Sequence, residues 1–199
     1  MLSFTLIHAI TFAFAAAIEV HIQNVSNWPS LRFDFTLKRS SMAIFGQSSF
    51  SMFANPVLSD SNSRVVYDTF ATISDGSATY NYTLVDGISI ISKSSVENKT
   101  MTSFTCLGSE SGNLPPVNAI VTALNEATTV VESDTSTRCS SGKMYKVSIN
   151  NIDFSLCTFG SSGFKLYGND MNIAVEYMDL PVNIIIRYVD AKHRYRPAP

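Results

Sequence analysis

Charged residues are scarce in this sequence. Asp, Glu, Lys and Arg make up 15% of its 199 residues, whereas about a quarter is usual in soluble globular proteins. The formal net charge is −2, so we expect no broad basic field that would hold nucleic acid or an anionic membrane. Ser, Thr and Asn supply most of the polar side chains instead, and this composition is typical of secreted β proteins.

Histidine is also rare, and catalytic motifs are missing. Outside residues 1–17 the chain has only His21 and His193, both near a terminus, so a Ser-His-Asp hydrolase would lack its base. The sequence has no nucleophile elbow, phosphate-binding loop or His-Glu-x-x-His motif. Asp153 and Glu176 lie within well-patterned strands, but each falls on a polar strand face that normally meets solvent. We therefore predict a non-enzymatic protein without a cofactor.

The one long apolar run stands at the N terminus. Residues 1–17 end in Ala15-Ala16-Ala17, which is a small-residue cleavage site, and their apolar run is too short to span a membrane. We interpret them as a signal peptide and expect a secreted, extracellular product that begins at Ile18. No later segment predicts a membrane span or a lipid anchor. The rest should form a single antiparallel β domain over 18–190 and a basic, flexible tail over 191–199.

Cysteine occurs only three times, which in a secreted protein predicts one disulfide and one leftover thiol. We favour Cys139–Cys157, because this bond would staple the base of a predicted hairpin. Cys106–Cys139 is the alternative. It would clamp the helical segment between the two residues, and all three thiols would meet at one end of the sheet if strand 101–107 lay antiparallel to strand 144–149. The spacings match no zinc ligand set, so we predict no metal site.

Three Asn-x-Ser/Thr sequons, at Asn24, Asn81 and Asn98, are candidate sites of N-glycosylation. Asn98 is the best candidate because its neighbours read as a loop. Asn81 falls within a predicted strand, so its modification requires an outward-facing side chain.

Alternating apolar and polar residues are abundant, and they predict β-strands. The clearest case is a hairpin in which Asn150-Asn151 makes a two-residue type I′ turn, since Asn tolerates positive φ. This turn fixes a register that places all of the facing apolar side chains on one side of the hairpin. The predicted pairs are Ile149 with Ile152, Val147 with Phe154, and Tyr145 with Leu156.

Other strands are predicted over 31–37 and 171–177, and a four-strand meander is predicted over 65–107. Two turns, Asp75-Gly76 and Asp86-Gly87, divide the first part of the meander. Asn55-Pro56 is predicted to be part of a loop.

One helix is predicted over 115–127. Proline is tolerated at the start of a helix, and Val117, Ile120, Val121 and Leu124 form an apolar stripe at helical spacing. Because so short a helix is marginal alone in water, we expect the stripe to dock on the sheet. The predicted fold class is mainly β: a curved, half-barrel-like antiparallel meander with one amphipathic helix packed against it.

Five short segments between about residues 80 and 186 carry a resemblance to a known family: Leu114-Pro115-Pro116, Ala123-Leu124-Asn125, the Cys139 to Cys157 spacing, Ser161-Ser162-Gly163-Phe164 and Val175-Glu176-Tyr177. With them the stretch resembles a family of small secreted proteins from oomycetes, of the Phytophthora type. This family is largely without an assigned activity, so the resemblance implies secretion but little else. The order of meander, cysteine, proline-led helix and hairpin is also similar, more loosely, to ependymin-type and LolA-type proteins, whose half-barrels hold lipids or other apolar ligands.

Our first functional hypothesis is a secreted binding protein that carries an apolar or lipid-like ligand in a cavity between sheet and helix. The alternative is a secreted effector or surface protein that binds a host protein or glycan without such a cavity, and an extracellular hydrolase ranks last. The candidate lining residues are Phe33, Phe35, Val117, Ile120, Val121, Leu124, Phe154, Val175 and Tyr177.

Overall fold

The computed structural model describes residues 28–59, 64–97, 101–108, 116–125, 127–130, 139 and 144–183. The predicted signal peptide, the basic tail, His21, His193, Asn24 and Asn98 lie outside the described residues. Within them, the chain forms an antiparallel sheet and one α-helix, so the predicted fold class is confirmed. The elements in chain order are β1 (Ser30–Leu37), β2 (Ser49–Leu58), β3 (Val65–Ser74), β4 (Ala78–Val85), β5 (Ile88–Ser95), β6 (Met101–Gly108), α1 (Val117–Asn125), β7 (Thr128–Val130), β8 (Met144–Ile149), β9 (Ile152–Thr158), β10 (Gly163–Gly168) and β11 (Met171–Met178).

All described strands belong to one sheet, in the order β6-β5-β4-β3-β2-β1-β11-β10-β9-β8-β7. The chain runs outward from β1 to one edge at β6, and then inward from the other edge at β7 to β11. Its first and last strands meet in the middle, where Phe33 lies opposite Val175. The sheet is open between β6 and β7, which are not paired with each other within the described residues.

The sheet curves around α1. The helix contacts both β3 and β8, which stand six places apart in the strand order. In a flat sheet those strands would be about 29 Å apart, whereas a helix of this length spans only about 14 Å. The two contacts therefore require a concave inner face, and α1 lies against that face.

The core lies between this inner face and the helix. Alternate residues of the central strands point inward and are buried, beginning with Phe33 and Phe35 in β1 and Ile173 in β11. The helix adds Val117 and Ile120, which are buried as predicted, and Ala123, which the predicted stripe did not include. Val121 and Leu124 pack only partly against the core, so the helix is rotated toward Ala123.

The predicted hairpin is confirmed in register and turn. Asn150 and Asn151 have φ angles of 50° and 64°, and Ile149 pairs with Ile152, Val147 with Phe154 and Tyr145 with Leu156. The predicted meander is also confirmed, as β3 to β6. The structure therefore agrees with the sequence wherever a tight turn joins two alternating segments.

The predicted loop at Asn55-Pro56 is wrong, because both residues lie within β2. Proline cannot donate a backbone hydrogen bond and is tolerated in a strand only where no donor is needed. The pairing of β2 with β1 ends at Ala54, and beyond it Pro56 has a strand partner only in β3, opposite Tyr67.

Candidate functional site

The nine candidate lining residues come together in one apolar cluster. Six of them are between 0% and 4% exposed, namely Phe33, Phe35, Val117, Ile120, Phe154 and Val175. The other three, Val121, Leu124 and Tyr177, pack partly buried against that cluster. Stacked rings fill part of the interior, since the ring centroid of Phe35 lies 6.2 Å from that of Phe33 and 5.1 Å from that of Phe50. Their role as the lining of a ligand cavity stays a prediction.

The inner face continues onto β4 and β5, where Leu84 and Ser89 are buried but its residues in the middle of these strands are only half-buried. Tyr80 lies opposite Lys93 in the strand register, and Tyr82 lies opposite Ile91. The ring of Phe45, from the connection between β1 and β2, stacks on Tyr80 with 3.7 Å between centroids and 5° between ring planes. We call Phe45, Tyr80, Tyr82, Ile91 and Lys93 the aromatic corner.

A tight turn holds Phe45 in place. Ile44 and Gln47 exchange two backbone hydrogen bonds of 3.0 and 2.9 Å, and Phe45-Gly46 between them have φ angles of 47° and 76°. Positive φ suits Gly but is unfavourable for a bulky side chain. The stacking on Tyr80 offsets that cost, and Gln47 Nε2 ties the turn to the Ser74 carbonyl oxygen of β3 at 2.8 Å.

The Tyr80 ring is fixed at its polar end by Asp75. The Tyr80 hydroxyl donates to Asp75 Oδ2 at 3.0 Å, while Asp75 Oδ1 accepts from the backbone N–H of Ala78 at 2.7 Å and of Ser77 at 3.0 Å. These hydrogen bonds, that from Ala78 above all, lower the pKa of Asp75 to about 2. The Lys93 ammonium lies 5.4 Å from the centroid of the Tyr80 ring, at cation–π distance.

A buried hydroxyl lies beside the corner. Thr69 points to the inner face of β3, and its buried Oγ1 has no hydrogen-bond partner among the described residues. Thr69 is paired with Leu84 of β4. Ala71, two residues further along β3, is paired with Tyr82 of the corner. Buried polar atoms are normally paired, so this hydroxyl is an unsatisfied polar position beside the corner.

The two carboxylates considered for catalysis do not converge. Glu176 lies opposite Gly163 at one end of β10, whereas Phe154, next to Asp153, lies opposite Gly168 at the other end. The strand length between these rows is about 16 Å, and paired glycosidase carboxylates need about 5–9.5 Å.

Both of these carboxylates are exposed on the outer face, as their strand pattern predicts, and each has a basic neighbour. Lys146 Nζ lies 2.8 Å from Asp153 Oδ2 and lowers the pKa of Asp153 by donating a hydrogen bond. Arg32 lies 3.9 Å from Glu176 Oε2. Within the described residues, no three His, Cys, Asp or Glu side chains are grouped to hold a metal ion.

The favoured disulfide, Cys139–Cys157, is present with 5.5 Å between its Cα atoms. Cys157 lies opposite Met144 at the base of the hairpin, as predicted. The alternative bond, Cys106–Cys139, and the gathering of all three thiols are wrong. Strand β6 pairs with β5 at one edge of the sheet and β8 lies near the other, so Cys106 remains an exposed free thiol.

The side chain of Asn81 faces outward, which is the condition for N-glycosylation within a strand. Asn81 lies on the outer face of β4, opposite the exposed Thr72 of β3, and its side chain faces away from the core.

The aromatic corner was not predicted from the sequence. Its signals were the spacing of Tyr80 and Tyr82 within an alternating strand and the Gly that follows Phe45. Alternation alone does not separate a covered inner-face position from an uncovered one, because that depends on how far α1 reaches along the sheet.

Comparisons with models of known protein families and with curated proteins find no match for this chain. The resemblance to secreted oomycete proteins therefore stays a prediction. None of the helices in the described part of the chain is both long and apolar enough to cross a membrane.

Proposed function

We propose that this chain is a secreted, non-enzymatic binding protein that carries an apolar, lipid-like ligand on the inner face of its sheet. The aromatic corner supports this proposal, because it leaves Tyr80, Tyr82 and Ile91 half-buried beside the packed core. Aromatic and aliphatic side chains with a few polar groups are the usual lining of ligand sites.

Secretion is part of the same proposal. The apolar N-terminal segment with its Ala15-Ala16-Ala17 site supports it, and so does the Cys139–Cys157 bond, since disulfides persist in oxidising compartments. Sequencing the N terminus of protein recovered from the medium of a eukaryotic host tests this part. The expected first residue is Ile18, and an intact Met1 on that protein would contradict signal-peptide cleavage.

The ligand is tested by native mass spectrometry of the secreted protein and by titration with cis-parinaric acid, a fluorescent fatty acid. We expect an apolar mass that is lost on denaturation, and saturable binding of the probe. Tyr82→Ser should weaken probe binding about tenfold or more, because burial of a large apolar side chain contributes roughly 1.5–3 kcal/mol. Tyr167→Ser, on the outer face of β10, is the matched control and should bind as the wild type does.

The alternative is an effector or surface protein that binds a host protein or glycan without an internal cavity. Close packing of Phe33, Phe35 and Ile120 in the core favours this alternative, because the same corner would then act as a contact surface. Absence of both a co-purifying apolar mass and probe binding would overturn the carrier proposal. Tyr82-dependent capture of a soluble glycan or protein would then support the alternative.

A further inference from the structure

The outer face of β3, β4 and β5 has an apolar row beside a polar row. In the apolar row, Phe70 of β3 and Ile90 of β5 flank Thr83 of β4, and Phe53 of β2 extends the row. In the polar row, the corresponding positions are Thr72, Asn81 and Ser92. Phe70 and Ile90 are half-buried although they point away from the core.

The side chain of Asn81 is held in one orientation. Its Oδ1 accepts a hydrogen bond of 2.8 Å from the hydroxyl of Thr72. Because the two terminal atoms of the amide lie on opposite sides, Nδ2 is on the side away from β3. Nδ2 is also the atom to which a glycan is attached in an Asn-x-Thr sequon.

We propose that Asn81 is N-glycosylated and that the first N-acetylglucosamine of the glycan packs over Ile90, on the side of β4 away from β3. In the transfer, Asn81 Nδ2 forms a bond to the anomeric carbon of a lipid-diphosphate-linked oligosaccharide. The bond from that carbon to the diphosphate breaks, the lipid diphosphate leaves with the electron pair, and the amide proton is released. No oxidant or reductant is needed, and Thr83 supplies the sequon hydroxyl.

The strand geometry places the sugar over the apolar row. Ile90 is the diagonal neighbour of Asn81 on β5, at about 7–8 Å in an antiparallel sheet. A pyranose ring attached at Nδ2, which is on the same side of β4, would lay its C–H face over the Ile90 side chain. Such cover removes apolar surface from water, which stabilises the fold. It also leaves the inner face, with the aromatic corner, unobstructed.

Occupancy is tested on full-length protein secreted by a eukaryotic host, by peptide mass spectrometry before and after glycosidase treatment. The wild type and Thr83→Ser should carry a glycan at Asn81, since Ser preserves the sequon. Asn81→Gln and Thr83→Val should lack it. Secreted wild-type protein with Asn81 unmodified would overturn this proposal and leave ligand binding at the corner standing.

This proposal rests on the proposed secretion, so an intracellular product would overturn both that part of the proposed function and the glycan. Tyr82→Ser separates the two faces. It keeps the sequon, so it should lose probe binding and retain the glycan, whereas Asn81→Gln should do the reverse.

Packing of the first sugar is tested by thermal unfolding. Asn81→Gln should melt about 2–4 °C below the glycosylated wild type, whereas protein trimmed by an endoglycosidase to one N-acetylglucosamine should keep the wild-type Tm. In an Ile90→Ser background, the Tm difference made by Asn81→Gln should become smaller, whereas in a Phe70→Ser background, on the β3 side, it should stay unchanged. Ile90→Thr is the second variant, to be used if Ile90→Ser is not secreted. An undiminished Tm difference in the Ile90 variant would overturn the packing over this side chain.

Discussion

Single residues stabilise the turns between strands. In the β3–β4 turn, the charged Asp75 carboxylate does so by accepting backbone hydrogen bonds. One carboxylate oxygen accepts from two backbone N–H groups of the β3–β4 turn, and the other accepts from the Tyr80 hydroxyl of the aromatic corner. The turn and the corner are thereby linked through one side chain. The same hydrogen bonds hold the pKa of Asp75 at about 2, below the usual value near 3.9.

The first prediction concerns pH. A lowered folded-state pKa contributes stability that is present above the unfolded pKa, near 3.9, and is lost as the pH falls toward 2. Asp75→Asn, which cannot titrate, should therefore have a lower Tm than the wild type at pH 6. The Tm difference should narrow between pH 5 and pH 2. A Tm difference that stays constant over this range would contradict a stabilising role for the charge.

At the scale of elements, the β8–β9 hairpin is specified locally. Its strands alternate, and the two Asn residues between them adopt the positive φ angles that a type I′ turn requires. Turn and alternation demand the same register, and this agreement is why the pairing was predictable.

The second prediction tests this turn. Asn151→Ala should lower the free energy of unfolding by about 1–2 kcal/mol, because a left-handed backbone conformation is unfavourable for a residue with a Cβ. Asn151→Gly should be nearly neutral, since Gly adopts positive φ freely. Urea unfolding of both variants measures the difference. Equal stability of the two variants would show that the turn conformation does not limit stability.

The third prediction concerns α1, whose stability depends on docking. Ile120 is fully buried against the sheet, so Ile120→Ala should cost about 2–5 kcal/mol of unfolding free energy. Thr122→Ala on the exposed side of the same helix is the matched control and should change it by less than about 0.5 kcal/mol. Similar losses for both variants would contradict the orientation of the helix.

At the scale of the whole molecule, the fold depends on contacts between distant parts of the chain. The first and last described strands, β1 and β11, pair in the middle of the sheet. In chain order, α1 follows one edge strand, β6, and precedes the other edge strand, β7. The Cys139–Cys157 bond adds a covalent link of 18 residues' separation. Such a link stabilises mainly by restricting the unfolded chain.

The fourth prediction follows from that link. Replacing Cys139 and Cys157 together with Ser should lower the free energy of unfolding by about 2–4 kcal/mol. Cys106→Ser is the control, because Cys106 is exposed and unbonded, and should stay within about 0.5 kcal/mol of the wild type. Guanidinium unfolding under non-reducing conditions gives both values. A large loss from Cys106→Ser alone would instead indicate that this thiol is structurally engaged.

The sequence by itself determined the strands with clear alternation, the hairpin register, the helix and the favoured disulfide. Each of these depends on residues close together in the chain, namely alternation, turn-forming Asn, and apolar residues at helical spacing. The pairing of Cys139 with Cys157 could be predicted because both residues lie at the base of the same hairpin.

Only the tertiary structure decided the order of the strands, and with it the positions of Cys106, Pro56 and the aromatic corner. Strand order depends on pairing between segments far apart in the chain, such as β1 with β11, and no local pattern encodes that choice. Cys106 is remote from Cys139 because β6 forms one edge of the sheet and β8 lies next to the strand at the other edge. Pro56 fits in a strand because β1 ends before reaching it. Among the described residues, the corner stays half-buried because the curved sheet is wider than the short helix that packs inside it.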